Sequence, residues 1–145
     1  MHEGVNAAPP GPNAVPVRLQ SFLAFDFGTR RTGVASGNRL LSHATPQATI
    51  AAAGSDERFA RVAERIREWQ PDALVVGVPR HPDGAPHDNT RAAERFARQL
   101  RGRFGLPVYE VDERYSTTEA LAGGARDPDA ASACIILEQF LRSLA

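Results

Sequence analysis

The sequence contains no lysine; all 17 of its basic residues are arginine. Arginine forks suit bidentate contacts to phosphate, but an arginine-only composition more often follows genomic base composition, so the absence alone assigns no ligand. An excess of either sign is also missing. The 17 acidic residues balance the 17 basic ones, which excludes a protein that grips nucleic acid by bulk charge and leaves only local patches for that purpose. A single cysteine, Cys134, excludes a disulfide within the chain and points to a reducing, cytoplasmic compartment. Set in the apolar run Cys134-Ile135-Ile136-Leu137, it reads as core material and not as a nucleophile. No apolar run approaches the roughly 18 residues of a membrane span. Residues 1–20 are rich in Pro, Ala and Gly and lack the basic start and apolar block of a secretory signal. They read as a disordered leader before one domain, residues 21–145, and 145 residues suit a single core.

Residues 18–27 predict a buried strand, 31–36 a second that pairs back after the turn at Gly28-Thr29, and a third is expected near 40–44. Over 55–70, Phe59, Val62, Ala63, Ile66 and Trp69 recur at helical spacing. Ser55 is the expected N-cap, Asp56 and Glu57 complement the first turn, and Pro71 stops the helix. "ALVVGVP", residues 73–79, is the continuous apolar run of a central parallel strand. A second helix over 89–104 buries Ala93, Phe96, Ala97, Leu100 and Phe104 and closes on Gly105. Its opposite face carries Arg91, Arg95 and Arg98, a stripe whose usual explanation is a solvated face. Residues 106–113 alternate like a strand and end in acids. A short helix is expected over 117–121, and a final one over 128–144 with Asp127 as N-cap and Pro128 in its first position. This order describes an α/β layer fold with an antiparallel start and a parallel continuation through right-handed crossovers.

Open α/β sheets build their sites at the carboxyl ends of strands. Asp26 ends the first strand, Glu113 ends the strand that begins near Val108, and Asp129 opens the last helix, whose positive end favours an ionised acid. Taken singly, each has an ordinary explanation: a turn acid, a surface ion pair with Arg114, a helix cap. Together they form an oxygen-only set that suits Mg²⁺ or Mn²⁺ and not zinc. Such ions can activate water and stabilise a leaving oxygen at a phosphodiester. On this reading Gly28 and Thr29 form a turn that lets substrate approach the backbone, and Arg30 or Arg31 meets the phosphate.

Four stretches, "AFDFGTRRTGVASG" from Ala24, "VVGVPRHPDG" from Val75, "VDERYST" from Val111 and "DAASACIILEQFL" from Asp129, resemble the YqgF/RuvX family. These are small ribonuclease H-like nucleases, described both as Holliday junction resolvases and as pre-16S ribosomal RNA processing nucleases. The resemblance implies a three-layer fold with a mixed five-stranded sheet and helices on both faces. It also implies that Asp26, Glu113 and Asp129 are the catalytic, metal-binding acids. The second motif brings Arg80, His81 and Asp83 beside the centre, where they contact nucleic acid or order the site. Arg114, Ser116 and Thr117 follow Glu113 in a positioning role, with helix capping by the hydroxyls as the plain alternative. Before Asp129 the family usually carries a longer basic loop; here Arg126 is the sole basic residue in "LAGGARDP".

The expected activity is therefore metal-dependent phosphodiester hydrolysis, maturing the 5′ end of precursor 16S rRNA, with four-way DNA as the alternative substrate. The expected partner is nucleic acid, pre-rRNA or branched DNA, bound by a monomer or homodimer away from any membrane. A non-catalytic nucleic-acid-binding module is a further alternative, although a pure binder gains nothing by turning three acids toward phosphate. An actin-like or sugar-kinase ATPase opens with a similar turn, but a duplicated domain does not fit in 145 residues.

Overall fold

The computed structural model describes residues 15–81, 83, 85, 89–113 and 126–144. The chain runs β1 (Ser21–Asp26), β2 (Arg31–Asn38), β3 (His43–Ala51), α1 (Ser55–Trp69), β4 (Ala73–Val78), α2 (Thr90–Phe104), β5 (Val108–Asp112) and α3 (Pro128–Ser143). The five strands form one sheet in the order β3-β2-β1-β4-β5. β1 pairs antiparallel with β2, placing Asp26 opposite Gly33, and parallel with β4, placing Phe25 opposite Val76. β5 continues the parallel half.

Strand alternation sends side chains to two faces, and each face is covered. Phe22, Ala24, Ala35, Val75 and Tyr109 pack with Ala133, Ile136, Leu137, Phe140 and Leu141 of α3. Leu23, Phe25, Val34, Leu74 and Val76 pack with Phe59 and Val62 of α1 and with Phe96, Ala97 and Leu100 of α2. The result is three layers around a mixed sheet, as expected. Phe96 collects the second face: the rings of Phe25, Phe27 and Phe59 lie 5.9, 4.9 and 5.7 Å from it.

Several boundaries differ from the sequence reading, each for a physical reason. β1 is shorter than 18–27, because Phe27 to Arg30 turn the chain back into β2. β3 begins later and runs longer than 40–44; as an edge strand it tolerates Pro46, which pairs opposite Ala35. Gly54, not Ser55, caps α1, and Ser55 is the first helical residue. Gln70 closes that helix in a left-handed conformation, its N–H donating to the Ile66 carbonyl at 2.7 Å, with Pro71 next in the chain. Val15 and Leu19, assigned to the leader, are buried against the α3 face. Asp127 caps α3 and Gly105 closes α2, as expected. The expected helix over 117–121, and the shortened loop as far as Ala125, lie outside the described residues.

Candidate active site

Three acids reach one end of the sheet on one face. Asp26 follows Phe22 and Ala24 in alternation and so points to the α3 side of β1. Glu113 follows Tyr109 and Val111 in the same way, its N–H donating to the Val78 carbonyl at 3.0 Å. Asp129 lies in the first turn of α3. All three are half-buried.

Two glycines make room for this arrangement. A Cβ on Gly33 would overlap the backbone carbonyl of Asp129, so the missing side chain lets the start of α3 rest on the strand directly opposite Asp26. A Cβ on Gly77 would overlap the Glu113 carboxylate and stand 2.5 Å from Ile136 Cδ1. Glu113 thus folds across β4 toward β1. A strand glycine often marks such a close approach, which is the signal by which "RTGVAS" and "VVGV" could have shown both contacts.

The start of α3 is held by charge. Asp127 accepts from the Ala130 N–H at 3.3 Å, and its two carboxylate oxygens lie 2.9 and 2.8 Å from the Thr49 hydroxyl. Partial burial pushes the Asp127 carboxyl upward, but the Thr49 and Ala130 hydrogen bonds and the Arg31 charge outweigh it and hold the group below the ordinary carboxylate value. Arg31 Nε donates to Asp129 Oδ2 at 2.6 Å, and a terminal nitrogen stands 3.7 Å from Asp127 Oδ1. The Asp129 hydrogen bond and charge raise the Arg31 pKa above its already high value. Among the described residues no three Asp, Glu, His or Cys groups converge as a ligand cluster. The acids share one end and one face of the sheet, with the Asp129 carboxylate drawn onto Arg31.

The remaining expected residues separate into groups. Gly28 is required by the turn itself, since a Cβ there would overlap the Arg31 carbonyl; Thr32 Oγ1 donates to the Gly28 carbonyl at 3.3 Å. The Thr29 carbonyl accepts from Arg58, a buried arginine whose guanidinium also lies 5.1 Å from the Phe27 ring centre. Arg30 is exposed. Arg80 is paired with Glu94 of α2 at 2.8 Å. The exposed His81 donates its N–H to the Ala85 carbonyl at 3.0 Å, and Asp83 accepts from the Ala85 N–H at 2.9 Å. Arg114, Ser116 and Thr117 lie outside the described residues. Arg91, Arg95 and Arg98 are exposed on the side of α2 away from its buried residues, consistent with a solvated face. Sequence reasoning missed Asp127 as a partner of Thr49 and Arg31, and missed Arg58 beneath the turn.

A sequence profile of the RuvX family, described as Holliday junction resolvase, matches residues 20–143. The chain belongs to the RuvX family. It is 76% identical over 126 residues, 87% of this chain and 91% of the other, to a Polaromonas sp. (strain JS666) protein named "Putative pre-16S rRNA nuclease". It is 69% identical over 139 residues, 94% of this chain and 88% of the other, to an Albidiferax ferrireducens protein of the same name. Among solved structures, T. thermophilus RuvC in complex with a Holliday junction substrate matches with a TM-score of 0.56 at 17% identity, covering 86% of this RuvX chain and 94% of RuvC. That likeness is one of fold, and it bears out the ribonuclease H-like architecture. The RuvX resemblance and the nuclease class expected from the sequence are likewise borne out. No helix among the described residues is long and apolar enough to cross a membrane.

Proposed function

We propose that this protein is a cytoplasmic, divalent-metal-dependent nuclease that matures the 5′ end of precursor 16S rRNA, with Asp26, Glu113 and Asp129 as its metal-holding acids. The observation that carries the reading is the delivery of three half-buried carboxyl side chains to one face and one end of the sheet, with Gly33 and Gly77 giving them room. The donor set is all carboxylate oxygen, which suits Mg²⁺ or Mn²⁺. Over Gly77 the Glu113 carboxylate lies beside the Ile136 Cδ1 methyl of α3.

A divalent ion held there would supply positive charge at the scissile phosphate and a more acidic water. The chain's own residues do the rest. The backbone of β1 and its pair β2 fixes Asp26, and the Val78 carbonyl fixes the start of the segment bearing Glu113. Arg30, exposed at the turn, offers a forked donor to a phosphate arriving at this end of the sheet. Arg80, His81, Arg114, Ser116 and Thr117 complete the proposed substrate contacts. The relatives' names favour precursor rRNA, and the family's description favours a four-way junction as the second reading. An RNA end asks for one cut and fits a monomer, whereas junction resolution needs two symmetric cuts and a homodimer.

The test is cleavage of an RNA carrying an unprocessed 16S 5′ end and of a synthetic four-way junction, each with Mg²⁺ or Mn²⁺, by wild type and Asp26→Asn. RNA cleavage lost in the variant is expected. Junction cleavage alone would replace the first reading by the second. Binding without cleavage of either would make the protein a binding module.

A further inference from the structure

Arg31 begins β2, and its side chain lies against the first turn of α3, between two carboxylates. The two are not equivalent. Asp127 is committed to the helix cap and to Thr49 whichever way the arginine turns. The Asp129 carboxylate takes its 2.6 Å hydrogen bond from Arg31 itself. That contact draws Asp129 toward β2, while Glu113 lies over Gly77 of β4, on the opposite side of β1 in the strand order. The Arg31 side chain is 55% exposed and that of Asp129 36%. An ion pair so open to water is weak and exchanges readily.

A divalent cation drawn to Asp129 meets a cation already seated there. Both want the same carboxylate oxygen, so the guanidinium and the metal compete for it. Asp127 Oδ1, 3.7 Å from the guanidinium, is a second anion within a small side-chain movement.

We propose that Arg31 is a built-in counter-cation for Asp129, one that a divalent metal displaces on binding, with Asp127 receiving the guanidinium. This rests on the reading of Asp129 as a metal-holding acid. It also gives Arg31 a role different from a plain phosphate contact. Arg31 holds the Asp129 side chain in place, and lowers metal affinity by occupying one of the oxygens a metal would use. An arginine that only oriented Asp129 for the ion would raise the affinity, so the sign of one substitution separates the two roles.

The experiment is a Mn²⁺ titration of EDTA-stripped protein, followed by the electron paramagnetic resonance signal of free Mn²⁺, for wild type, Arg31→Gln, Arg31→Lys and Asp26→Asn. Arg31→Gln is expected to bind Mn²⁺ about three- to tenfold more tightly than wild type, the scale of a partly exposed ion pair together with the repulsion it exerts on a second cation. Arg31→Lys keeps the charge and stays close to wild type, which separates loss of charge from loss of structure. Equal or weaker binding by Arg31→Gln, with Asp26→Asn still abolishing binding, would overturn the counter-cation role and leave the metal site standing. Absence of Mn²⁺ binding in both wild type and Arg31→Gln would overturn the metal reading and this inference with it.

Discussion

The Glu113 carboxylate lies where a side chain on Gly77 would have to go. Both neighbours of that space, Glu113 Oε2 and Ile136 Cδ1, are the ends of flexible side chains and can give way. Gly77→Ala is therefore expected to change stability by no more than about 1 kcal/mol, because the gain in strand order offsets the crowding. On the proposed role of Glu113, cleavage is expected to fall at least tenfold, since displacing a group that acts at the reacting phosphate by about 1 Å costs on the order of a hundredfold. Denaturant unfolding and single-turnover cleavage on the same preparation check both halves.

Gly33→Ala should behave in the opposite way. The atoms in its path are the Asp129 carbonyl and the Ala130 nitrogen, which are backbone, so the start of α3 must lift from the sheet. A loss on the order of 3 kcal/mol is expected, read as a lower denaturant midpoint with an unchanged slope.

Gly102 sits inside α2, and a methyl group added there would have nothing within 4 Å of it. Replacement by alanine removes the conformational penalty of a helical glycine and meets no obstacle, so Gly102→Ala is expected to stabilise by about 0.5–1 kcal/mol. Chemical denaturation measures it, and cleavage should be unaffected.

Asp127 caps α3 and is held below the ordinary carboxylate value, so its sign with pH is fixed. A depressed folded-state pKa gives stability that is present above the unfolded value, about 3.8 to 3.9, and is lost as pH falls through the lower folded value. Asp127→Ala should cost about 1 kcal/mol at pH 7. The gap from wild type should narrow as the pH drops below 3.8. Denaturant midpoints at a series of acidic pH values check this.

Cys134 is half-buried, and burial, with Glu138 nearby, pushes its thiol up to about 11. At pH 8 only about one thiol in a thousand is then the reactive thiolate. Alkylation by iodoacetamide should be slow at neutral pH and climb steadily until the pH nears 11. Fast modification at pH 7 would contradict the buried placement.

Local signals made much of this fold legible, and tertiary ones did not. The β4 run "ALVVGV" is buried along its whole length and could be read directly. The Asp127-Pro128 start of α3 and the Gly105 close of α2 are also local chemistry. The extent of β3 escaped because an edge strand takes its order from pairing with β2, and its own residues alternate poorly. Val15 and Leu19 escaped because their burial depends on a helix more than a hundred positions away. For the candidate site, Asp26 at the end of β1 and Asp129 in the first turn of α3 could be read from the sequence, while Glu113, expected as the last residue of its strand, follows one residue past β5. The Arg31–Asp129 contact spans 98 positions, and no pattern in either segment announces it.

α3 lies against β1, β2 and β3 and supplies much of the packing over one face of the sheet. A ribosome makes that helix after every strand it covers. Without it, Phe22, Ala24, Ala35 and Val75 lose most of the side chains that cover them on that face, apolar surface of the kind that makes incompletely folded chains prone to aggregate. Asp129 arrives with the same helix. One of the candidate acids is thus carried on the helix whose docking covers that face of the sheet.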